Sequence, residues 1–320
     1  MAAQKQHQGE LVLVTGGAGF IGSHVVDYLV SKGCRVLVID DFSTGKRDNL
    51  AHWLDDPRVE IIQASIANGI FASLADVTRR QGPVDRIIHL AALVSVVYSI
   101  QNPLDDVRVN YAGTVHVMEY ARHKHVKKVV FASSSAVYSN EAELPVHEGS
   151  ECLPLSPYGI DKLASEKLLN CYAKVHGMNC ASLRFFNVYG PRQDPSSPYS
   201  GVISIFADRA RKAELLTVYG DGDQTRDFVY VGDVVRAVVS ACLSETHSNA
   251  VANIGTGNAT TINQLARQII DLSGSSSSIQ HLDPRSGEIR HSTAATELAE
   301  RLFDFRAKIC LREGLQQTLV

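Results

Sequence analysis

The sequence of 320 residues contains no uninterrupted apolar run of about 18 residues, the length that a membrane-spanning helix needs. Its first residues, MAAQKQHQGE, are polar and lack the apolar segment of a signal peptide. We therefore expect a cytoplasmic protein that has no membrane partner.

The sequence also lacks an excess of charge of one sign. Lys and Arg number 31 and Asp and Glu number 34, which gives a formal net charge of -3. Like charges do not gather in blocks of about five or six, so we expect no nucleic acid as a partner. A site for an anionic ligand must therefore be built locally from a few residues.

Cysteines in the C-x-x-C spacing of structural zinc sites are absent. The six cysteines are scattered along the chain, and a chain of this length needs no disulfide framework. We expect reduced thiols, which act as small buried hydrophobes or surface groups, and no metal site. A composition of 45% hydrophobic and 20% charged residues is that of an ordinary globular protein.

The first half of the chain alternates short β-branched runs with longer amphipathic stretches, which is typical of a parallel sheet covered by helices. The runs are continuously apolar, as in strands buried on both faces. We predict an α/β fold, a doubly wound parallel-sheet Rossmann domain. The predicted strands are Leu11–Thr15, Arg35–Asp40, Val59–Ala64, Arg86–Ala91, Lys127–Ser133 and Cys180–Phe186, and the helices are Phe20–Ser31, Pro103–His123 and Pro157–His176.

The composition changes beyond residue 187. Residues 187–201 are rich in Pro, Gly, Ser and Asp, which indicates a long loop. We predict an NAD-binding domain over residues 1–186, to which parts of 225–260 return, and a smaller C-terminal α/β substrate-binding lobe over residues 187–320. The lobe is predicted to contain helices at Val202–Lys212, Asp233–Ser244 and Thr261–Ser273, and a strand pair at Leu215–Tyr219 and Thr225–Tyr230.

A glycine-rich segment, TGGAGFIG, follows the first predicted strand and opens a helix. Glycines there allow a sharp turn and let a pyrophosphate approach the N–H groups of the helix N-terminus. The next strand ends at Asp40, 24 residues after Gly16, where a carboxylate can bind ribose hydroxyls and repel a 2′-phosphate. Asp41 adds a second negative charge. The segment therefore predicts NAD rather than NADP.

Tyr158 and Lys162 are four residues apart on one predicted helix, so they share a face. An ammonium beside a phenol favours phenolate, and we expect Lys162 to lower the pKa of Tyr158 toward the working pH. Tyr158 would then serve as a general base. Ser134 stands at the end of a buried strand, where ligands bind in doubly wound sheets.

In these motifs the chain resembles the extended short-chain dehydrogenase/reductase family, and most closely its UDP-galactose 4-epimerase branch. The resemblance runs nearly end to end through TGGAGFIGSH, HLAA, SSSAVY, YGIDK, RFFNVYGP, GDGDQTRDFVYVGDV and RSGEIRHS. It implies a tightly held NAD, a UDP-sugar in the C-terminal lobe and C4 epimerisation through a 4-keto sugar. Tyr158 would take the O4 proton, Lys162 would hold the nicotinamide ribose, and Ser134 would bridge O4 and Tyr158.

The resemblance also implies two sets of contacts. The cofactor set comprises Gly16, Gly19, Phe20, Ile21, Gly22, Asp40, Asp41, Ser43, Thr44, Gly45, Ser65, Ile66, Leu90, Ala91, Ala92, Tyr158, Lys162 and Phe186. The substrate set comprises Ser134, Ser135, Asn187, Val202, Thr217, Tyr219, Arg226, Arg285, Glu288 and Ser292. In it, Asn187, Arg226 and Arg285 would contact the diphosphate, Glu288 the uridine ribose, and Thr217 with Tyr219 the uracil.

Several positions depart from the family pattern. Ser65 replaces an aspartate that often faces the adenine amine, Ser139 replaces a glycine, and Val94 replaces a lysine of some epimerases. Ser135 and Ala136 stand where 4,6-dehydratases carry an Asp-Glu pair, so dehydration is disfavoured. Epimerisation or decarboxylation of UDP-glucuronate and a catalytically silent nucleotide-sugar-binding protein stay open.

The choice of sugar rests on one position. Ser292 matches a position where some epimerases carry a tyrosine that excludes an N-acetyl group, so we expect UDP-GlcNAc and UDP-GalNAc to be accepted, with or without UDP-Glc and UDP-Gal. The alternative is that Ser292 is merely a tolerated small residue. The resemblance further implies a homodimer formed through the helices containing Asn110–His123 and Tyr158–His176.

Overall fold

The computed structural model of the chain describes residues 9–195, 201–245, 249–284 and 289–319. Seven parallel strands form the main sheet, in the order β3-β2-β1-β4-β5-β6-β10. They are β1 (Leu11–Thr15), β2 (Arg35–Asp40), β3 (Val59–Gln63), β4 (Arg86–His89), β5 (Lys128–Ser134), β6 (Cys180–Phe185) and β10 (Ala250–Ile254). The predicted doubly wound sheet is therefore confirmed.

Helices cover both faces of this sheet, because its strands are apolar on both sides. Leu11 to Val14 are fully buried, and burying each such side chain contributes about 1.5–3 kcal/mol. On one face lie α1 (Phe20–Ser31) and α8 (Val231–Leu243), and on the other lie α2 (Phe71–Gln81), α5 (Gly113–His123) and α6 (Pro157–His176). The helix α2 was not predicted, although it has an apolar face.

The connection between β4 and α5 is less regular than the single predicted helix. It consists of α3 (Val96–Gln101), α4 (Pro103–Val107) and a π-helical turn (Arg108–Ala112) that leads into α5. Asn102, at φ -133°, separates α3 from α4, and Pro103 restarts the helix at its first position. The apolar pattern that predicts an α-helix repeats every 3.6 residues. This pattern does not reveal a π-helical turn, because the turn adds one residue and does not require particular residue types.

The rest of the chain forms smaller sheets around a separate apolar cluster. Its elements are β7 (Asn187–Tyr189), α7 (Val202–Arg211), β8 (Leu216–Tyr219), β9 (Thr225–Tyr230), β11 (Ala259–Thr261), α9 (Ile262–Ser273), β12 (Ile279–Leu282) and α11 (Leu311–Leu319). The helix α10 (Glu297–Phe303) packs instead on the core of the main sheet, through Ala299 and Phe303. The helices predicted at 202–212, 233–244 and 261–273 are confirmed within two residues at each end.

The predicted pairing of the strands at 215–219 and 225–230 is wrong. β8 pairs with β12, whereas β9 lies between β7 and β11. Gly220 and Gly222 both have positive φ, and the intervening segment turns away instead of closing a hairpin. β10 extends the main sheet beside β6, and α8 packs on it, while the division of the chain at residue 186 stays a prediction.

Candidate active site

A cavity of about 410 Å³ opens at the carboxyl ends of β1, β2, β4 and β5; we call it the sheet cavity. β1 has β2 on one side and β4 on the other, so the order in which successive strands are added across the sheet reverses there and leaves a crevice. Among the residues predicted to bind cofactor, those that line it are Gly16, Gly19, Phe20, Ile21, Gly22, Asp40, Asp41, Ser43, Thr44, Ile66, Leu90, Ala91, Ala92, Tyr158, Lys162 and Phe186.

The glycine-rich turn fits a dinucleotide phosphate. Gly16 has φ +71°, and a Cβ at this residue would lie 2.7 Å from the Ala91 nitrogen. A Cβ on Gly22 would collide with the Gly16 carbonyl oxygen. The helix α1 begins after Gly19, which has no side chain to cap it. The first N–H groups of α1 therefore face the cavity unmasked, as binding of a pyrophosphate requires.

Asp40, the last residue of β2, and Asp41, which follows it, line the rim of the sheet cavity. Asp40 accepts hydrogen bonds from the backbone N–H groups of Ala18 and Phe42, both at 2.9 Å. Burial nevertheless raises the pKa of Asp40. Burial also acts to raise the pKa of Asp41, but hydrogen bonds from Ser43 and Ser65 outweigh it and hold that pKa below its usual value. This end of the cavity thus offers carboxylate acceptors to a ribose diol.

Ser65 and Gly45 are predicted cofactor residues that do not line the sheet cavity. Ser65 lies behind its wall, where it hydrogen-bonds to Asp41. Gly45 packs against Asp40, and a Cβ on it would lie 2.8 Å from the Asp40 Oδ1. Both residues thus support Asp40 and Asp41 from outside the cavity.

Part of the loop predicted at residues 187–201 also lines the sheet cavity, through residues that were not predicted as site residues. Arg192, Gln193 and Asp194 belong to it, and ion pairs hold it in place: Arg192 with Asp27 at 2.8 Å, and Asp194 with Lys46 at 2.6 Å. These partners are distant in sequence, and charged residues in a Pro- and Gly-rich stretch are the ordinary composition of a loop. Only the fold brings them to the cavity.

The three predicted catalytic residues meet in the sheet cavity. Ser156 caps α6 by accepting a hydrogen bond from the Gly159 N–H at 3.1 Å, and Pro157 occupies the first turn. This start places Tyr158 and Lys162 on the cavity side. Ser134, the last residue of β5, is hydrogen-bonded to Tyr158. The Lys162 Nζ donates to the Ala132 carbonyl oxygen at 2.8 Å.

The expectation that Lys162 lowers the pKa of Tyr158 is wrong for the chain alone. Burial raises the pKa of Tyr158 to about 12, against a lowering by the Ser134 hydrogen bond, and burial lowers the pKa of Lys162 to about 8. The Lys162 Nζ lies 5.7 Å from the centre of the Tyr158 ring and is directed to Ala132. Burial disfavours both charges, and it exceeds their attraction at this separation.

A buried ion pair fixes the strand end that carries Ser134. Glu166 accepts hydrogen bonds from Ser133 at 2.5 Å and from Arg184 at 2.7 and 2.9 Å. The Arg184 guanidinium also lies over the Tyr138 ring, 4.7 Å from its centre. Glu166 and Arg184 were not singled out in the sequence, because a single charge in a helix or strand is usually a solvated one.

A second cavity of about 320 Å³ lies between α7, β8 and β9; we call it the lobe cavity. Five of the predicted substrate residues line it: Asn187, Val202, Thr217, Tyr219 and Arg226. Asn187 also lines the sheet cavity, so the two cavities adjoin at this residue.

Two polar residues of the lobe cavity were missed from the sequence. Arg209 donates to the Thr217 Oγ1 at 2.6 Å. Gln224 donates its Nε2 to the Tyr219 carbonyl oxygen at 2.7 Å, and its Oε1 is buried without a donor among the described residues. Gln224 therefore has an acceptor left for a ligand.

The remaining predicted substrate residues are elsewhere. Ser134 lines the sheet cavity, Ser135 begins the short 3₁₀ turn behind it, and Ser292 lines neither cavity. Arg285 and Glu288 lie outside the described residues. The site thus consists of a dinucleotide crevice, a Ser–Tyr–Lys group and an adjoining polar cavity, which is the arrangement of a nucleotide-dependent oxidoreductase fold.

Residues 12–255 match the NAD dependent epimerase/dehydratase family, and the chain belongs to that family. Among solved structures it is similar to the UDP-glucose 4-epimerase of Thermotoga maritima with UDP-glucose, at 37% identity, 97% coverage of both chains and a TM-score of 0.90. It is similar to the UDP-N-acetylglucosamine 4-epimerase of Methanobrevibacter ruminantium in complex with UDP-N-acetylmuramic acid, at 35% identity, 98% and 97% coverage and a TM-score of 0.90.

A third similar structure is the UDP-glucuronic acid 4-epimerase of Bacillus cereus with UDP-glucuronic acid and NAD, at 31% identity, 97% and 98% coverage and a TM-score of 0.87. The similarities confirm the predicted class, a nucleotide-sugar 4-epimerase of the extended short-chain dehydrogenase/reductase type, with NAD as cofactor. Within the described part of the chain, no helix has the length and apolarity to span a membrane.

Proposed function

We propose that this protein inverts C4 of a UDP-hexose, with UDP-GlcNAc and UDP-GalNAc as substrates and UDP-Glc and UDP-Gal as further candidates. One observation carries the proposal: Ser134, Tyr158 and Lys162 face the same cavity, which adjoins the lobe cavity at Asn187. A UDP-sugar that spans the two cavities would present its hexose to the three residues.

The proposed roles follow from the hydrogen bonds of the free site. Ser134 contacts Tyr158 and would pass the O4 proton to it, and Tyr158 would hold that proton until the sugar takes it back. The residues that line the sheet cavity would hold NAD, which would supply reversible hydride transfer at C4. Because burial favours the neutral phenol, Tyr158 needs a positive charge nearby to act as a base at neutral pH. Lys162 is the cation nearest to Tyr158 along α6, and we propose that it supplies this charge.

The lobe cavity supplies groups that suit a uridine diphosphate. Arg226 and Asn187 would donate to the diphosphate, since charge-assisted donors bind phosphate oxygens best. The buried Gln224 Oε1 would accept from the uracil N3–H, and the Tyr219 ring would give the base a flat wall. Arg285 and Glu288 are proposed for the diphosphate and the ribose on the resemblance alone.

The identity of the sugar is the finer part of the proposal. Ser292 is small, and a small residue beside C2 would leave room for an N-acetyl group. Against this stands the alternative that Ser292 is simply tolerated, and that the enzyme prefers UDP-Glc and UDP-Gal. UDP-glucuronate, as a substrate for epimerisation or decarboxylation, and a silent binding protein are the competing proposals. Because Ser134, Tyr158 and Lys162 are all present in one cavity, a catalytic role is favoured over that of a catalytically silent binding protein.

We also propose a homodimer through the helical face that contains residues 110–123 and 158–176. Near it, Val97, Ile100 and Leu104 of α3 and α4 and Ile160 of α6 are more than half exposed. Exposed apolar side chains gathered on neighbouring helices are typical of an interface. The mass of the protein in solution, measured by light scattering, tests this. The cytoplasmic location stays a prediction.

The test of the function is a set of separate incubations with UDP-GlcNAc, UDP-Glc and UDP-GlcA, without added NAD, followed by proton NMR. We expect the C4 epimer of UDP-GlcNAc to appear, with conversion by retained cofactor. If no sugar is converted even after NAD is supplied, although UDP-sugar binds, epimerisation is the wrong reaction. A pentose product from UDP-GlcA would establish decarboxylation instead.

A further inference from the structure

Two carboxyl groups are buried together beside the catalytic turn of α6. Asp161 follows Tyr158 by three residues and has 7% of its surface exposed, and Asp106 of α4 has none. The two groups lie within hydrogen-bond reach of each other. The Oδ2 atom of each is buried and receives no N–H or O–H donor from the residues that the structure describes.

Two ionised carboxylates in this position would repel each other strongly, because burial reduces screening of their charges by solvent. A single proton between them turns the contact of two acceptors into a hydrogen bond, so the two groups titrate as a pair. Burial first, and then the charge of Asp106, raise the pKa of Asp161 to about 7. Burial raises the pKa of Asp106 as well.

The pair is connected to the sheet cavity through Asn110. Asp106 Oδ1 accepts a hydrogen bond from the Asn110 Nδ2 at 2.8 Å. The same amide exchanges two hydrogen bonds with the Leu93 backbone, at 2.8 and 2.9 Å, and Leu93 lines the cavity. Asn110 belongs to the π-helical turn, a geometry that is rare and is often found at functional sites.

The neighbouring charges are few. On α6, Lys162 attracts both carboxyl groups, Tyr158 is affected by the charge of Asp106, and Glu166 acts on Lys162. From β4, His89 faces Lys162, and burial lowers the His89 pKa to about 3, so that it is neutral. From α4 and the π-helical turn, Asp105 and Arg108 lie about 3.9 Å apart at the surface.

We propose that Asp106 and Asp161 share one proton and act as a positioning pair, which joins α4 to the catalytic turn of α6 and thereby sets the pH range in which Tyr158 and Lys162 are held for catalysis. Loss of the shared proton would leave two repelling charges between the helices. It would also place a further negative charge near Tyr158, and this would oppose formation of its phenolate.

The effect on stability has a defined sign. The pKa of Asp161 is raised in the folded chain, so its contribution to stability is present below the unfolded value of about 4 and is lost as the pH rises through about 7. In Asp161→Asn the side-chain amide can donate a hydrogen bond to Asp106 at every pH, because an amide does not titrate. The variant should therefore remove this part of the pH dependence.

The experiment compares thermal unfolding of wild type, Asp161→Asn and Asp161→Ala between about pH 5.5 and about pH 8.5, with Asp105→Asn as the matched control on α4. We expect the Tm of wild type and of the control to fall by at least about 3 °C more than that of Asp161→Asn over this range. Asp161→Ala should have a lower Tm at every pH, because it leaves the buried Asp106 Oδ2 with no group that can donate to it.

An infrared band of a protonated carboxyl at neutral pH, absent from Asp161→Asn, would show the shared proton directly. If wild type lacks the band, or if Asp161→Asn and wild type have the same pH dependence of Tm, the proposal is overturned. Neither readout depends on the reaction, so they separate this proposal from that of the function.

The kinetic measurement rests on the proposed function and adds the role in catalysis. The kcat of wild type should fall on the alkaline side of about pH 7, and that fall should move upward in Asp161→Asn, whereas KM should change little. Asp161→Ala should lose at least about tenfold in kcat, and Asp161→Asn should restore most of it. An unchanged alkaline limb in Asp161→Asn would contradict the positioning role.

Discussion

The sheet cavity and the lobe cavity adjoin at Asn187 but are built in different ways. The sheet cavity is formed by strand ends and by a closely packed glycine turn, in which Gly16 lies against Ala91 and Gly22 lies against Gly16. The lobe cavity is formed by side chains on α7, β8 and β9, which hold one another through hydrogen bonds such as that of Arg209 with Thr217.

This difference assigns separate tasks to the two cavities. Backbone groups on a buried sheet are rigid, and rigidity suits a cofactor that stays bound and a proton transfer that needs fixed distances. Side chains on a smaller lobe suit a substrate that must enter, turn and leave. Changes in the sheet cavity should therefore act on kcat and on cofactor content, and changes in the lobe cavity on KM.

The largest effect should come from Tyr158→Phe. Without the phenol the O4 proton has no acceptor, so kcat should fall by roughly 10²- to 10⁴-fold, while KM and bound NAD stay nearly unchanged. Steady-state kinetics measures kcat and KM, and the absorbance of released cofactor measures the bound NAD. Tyr172→Phe, on the same helix and outside both cavities, is the control. An equal loss in the control would mean that the helix, not the phenol, was damaged.

Gly22→Ala should separate cofactor binding from substrate binding. The new Cβ would collide with the Gly16 carbonyl oxygen, so the turn must open, and we expect loss of NAD and a free energy of unfolding lower by about 1–3 kcal/mol. Denaturant unfolding and the cofactor content of the purified protein test this. Gly149→Ala, where a Cβ meets only the His147 imidazole at 3.3 Å, should retain its cofactor. Full NAD content in Gly22→Ala would exclude the turn as the phosphate site.

Arg226→Gln should affect the lobe cavity alone. A hydrogen bond to a charged group is worth about 1.5–3 kcal/mol, so we expect KM to rise by roughly 10- to 100-fold with little change in kcat. Arg211→Gln, on α7 but outside the cavity lining, is the control. A fall in kcat with constant KM would indicate that Arg226 acts on the reacting sugar rather than on the diphosphate.

The smallest effect is expected from Ser292→Tyr. If Ser292 borders the sugar C2, a tyrosine there should lower kcat/KM for UDP-GlcNAc by about tenfold relative to UDP-Glc. Competition between the two sugars in one reaction measures the ratio. Ser292 lines neither cavity in the structure. Equal losses of kcat/KM for both sugars would show that Ser292 does not determine a preference for the N-acetylated sugar.

The contrast between the cavities also explains what the sequence reveals. Strand ends and glycine turns are local features, and the bounds of β1, β2, α1 and α6 were predicted to the residue. Pairings between distant segments are not local. The partners of β8 and β9, the ion pair of Arg192 with Asp27, and the carboxyl pair of Asp106 with Asp161 all depend on the fold.

The pKa of Tyr158 also depends on contacts that are not local in the sequence. The spacing of Tyr158 and Lys162 correctly placed both side chains in one cavity. It did not reveal that burial outweighs their attraction, because burial depends on the folded sheet. Lys162, for example, contacts Phe131 and Ala132, which lie far away in sequence. A motif predicts which groups meet, whereas the surrounding protein determines their charge.

In the proposed reaction the C4 hydrogen leaves the sugar as hydride and returns to the same carbon within one site. A UDP-hexose that carries deuterium at C4 tests it, starting with UDP-GlcNAc and followed by NMR in ordinary water. We expect the C4 epimer to form with its deuterium retained at C4. An epimer that carries a solvent proton at C4 would exclude hydride transfer to and from the cofactor, since it would require inversion through an acid–base exchange at carbon.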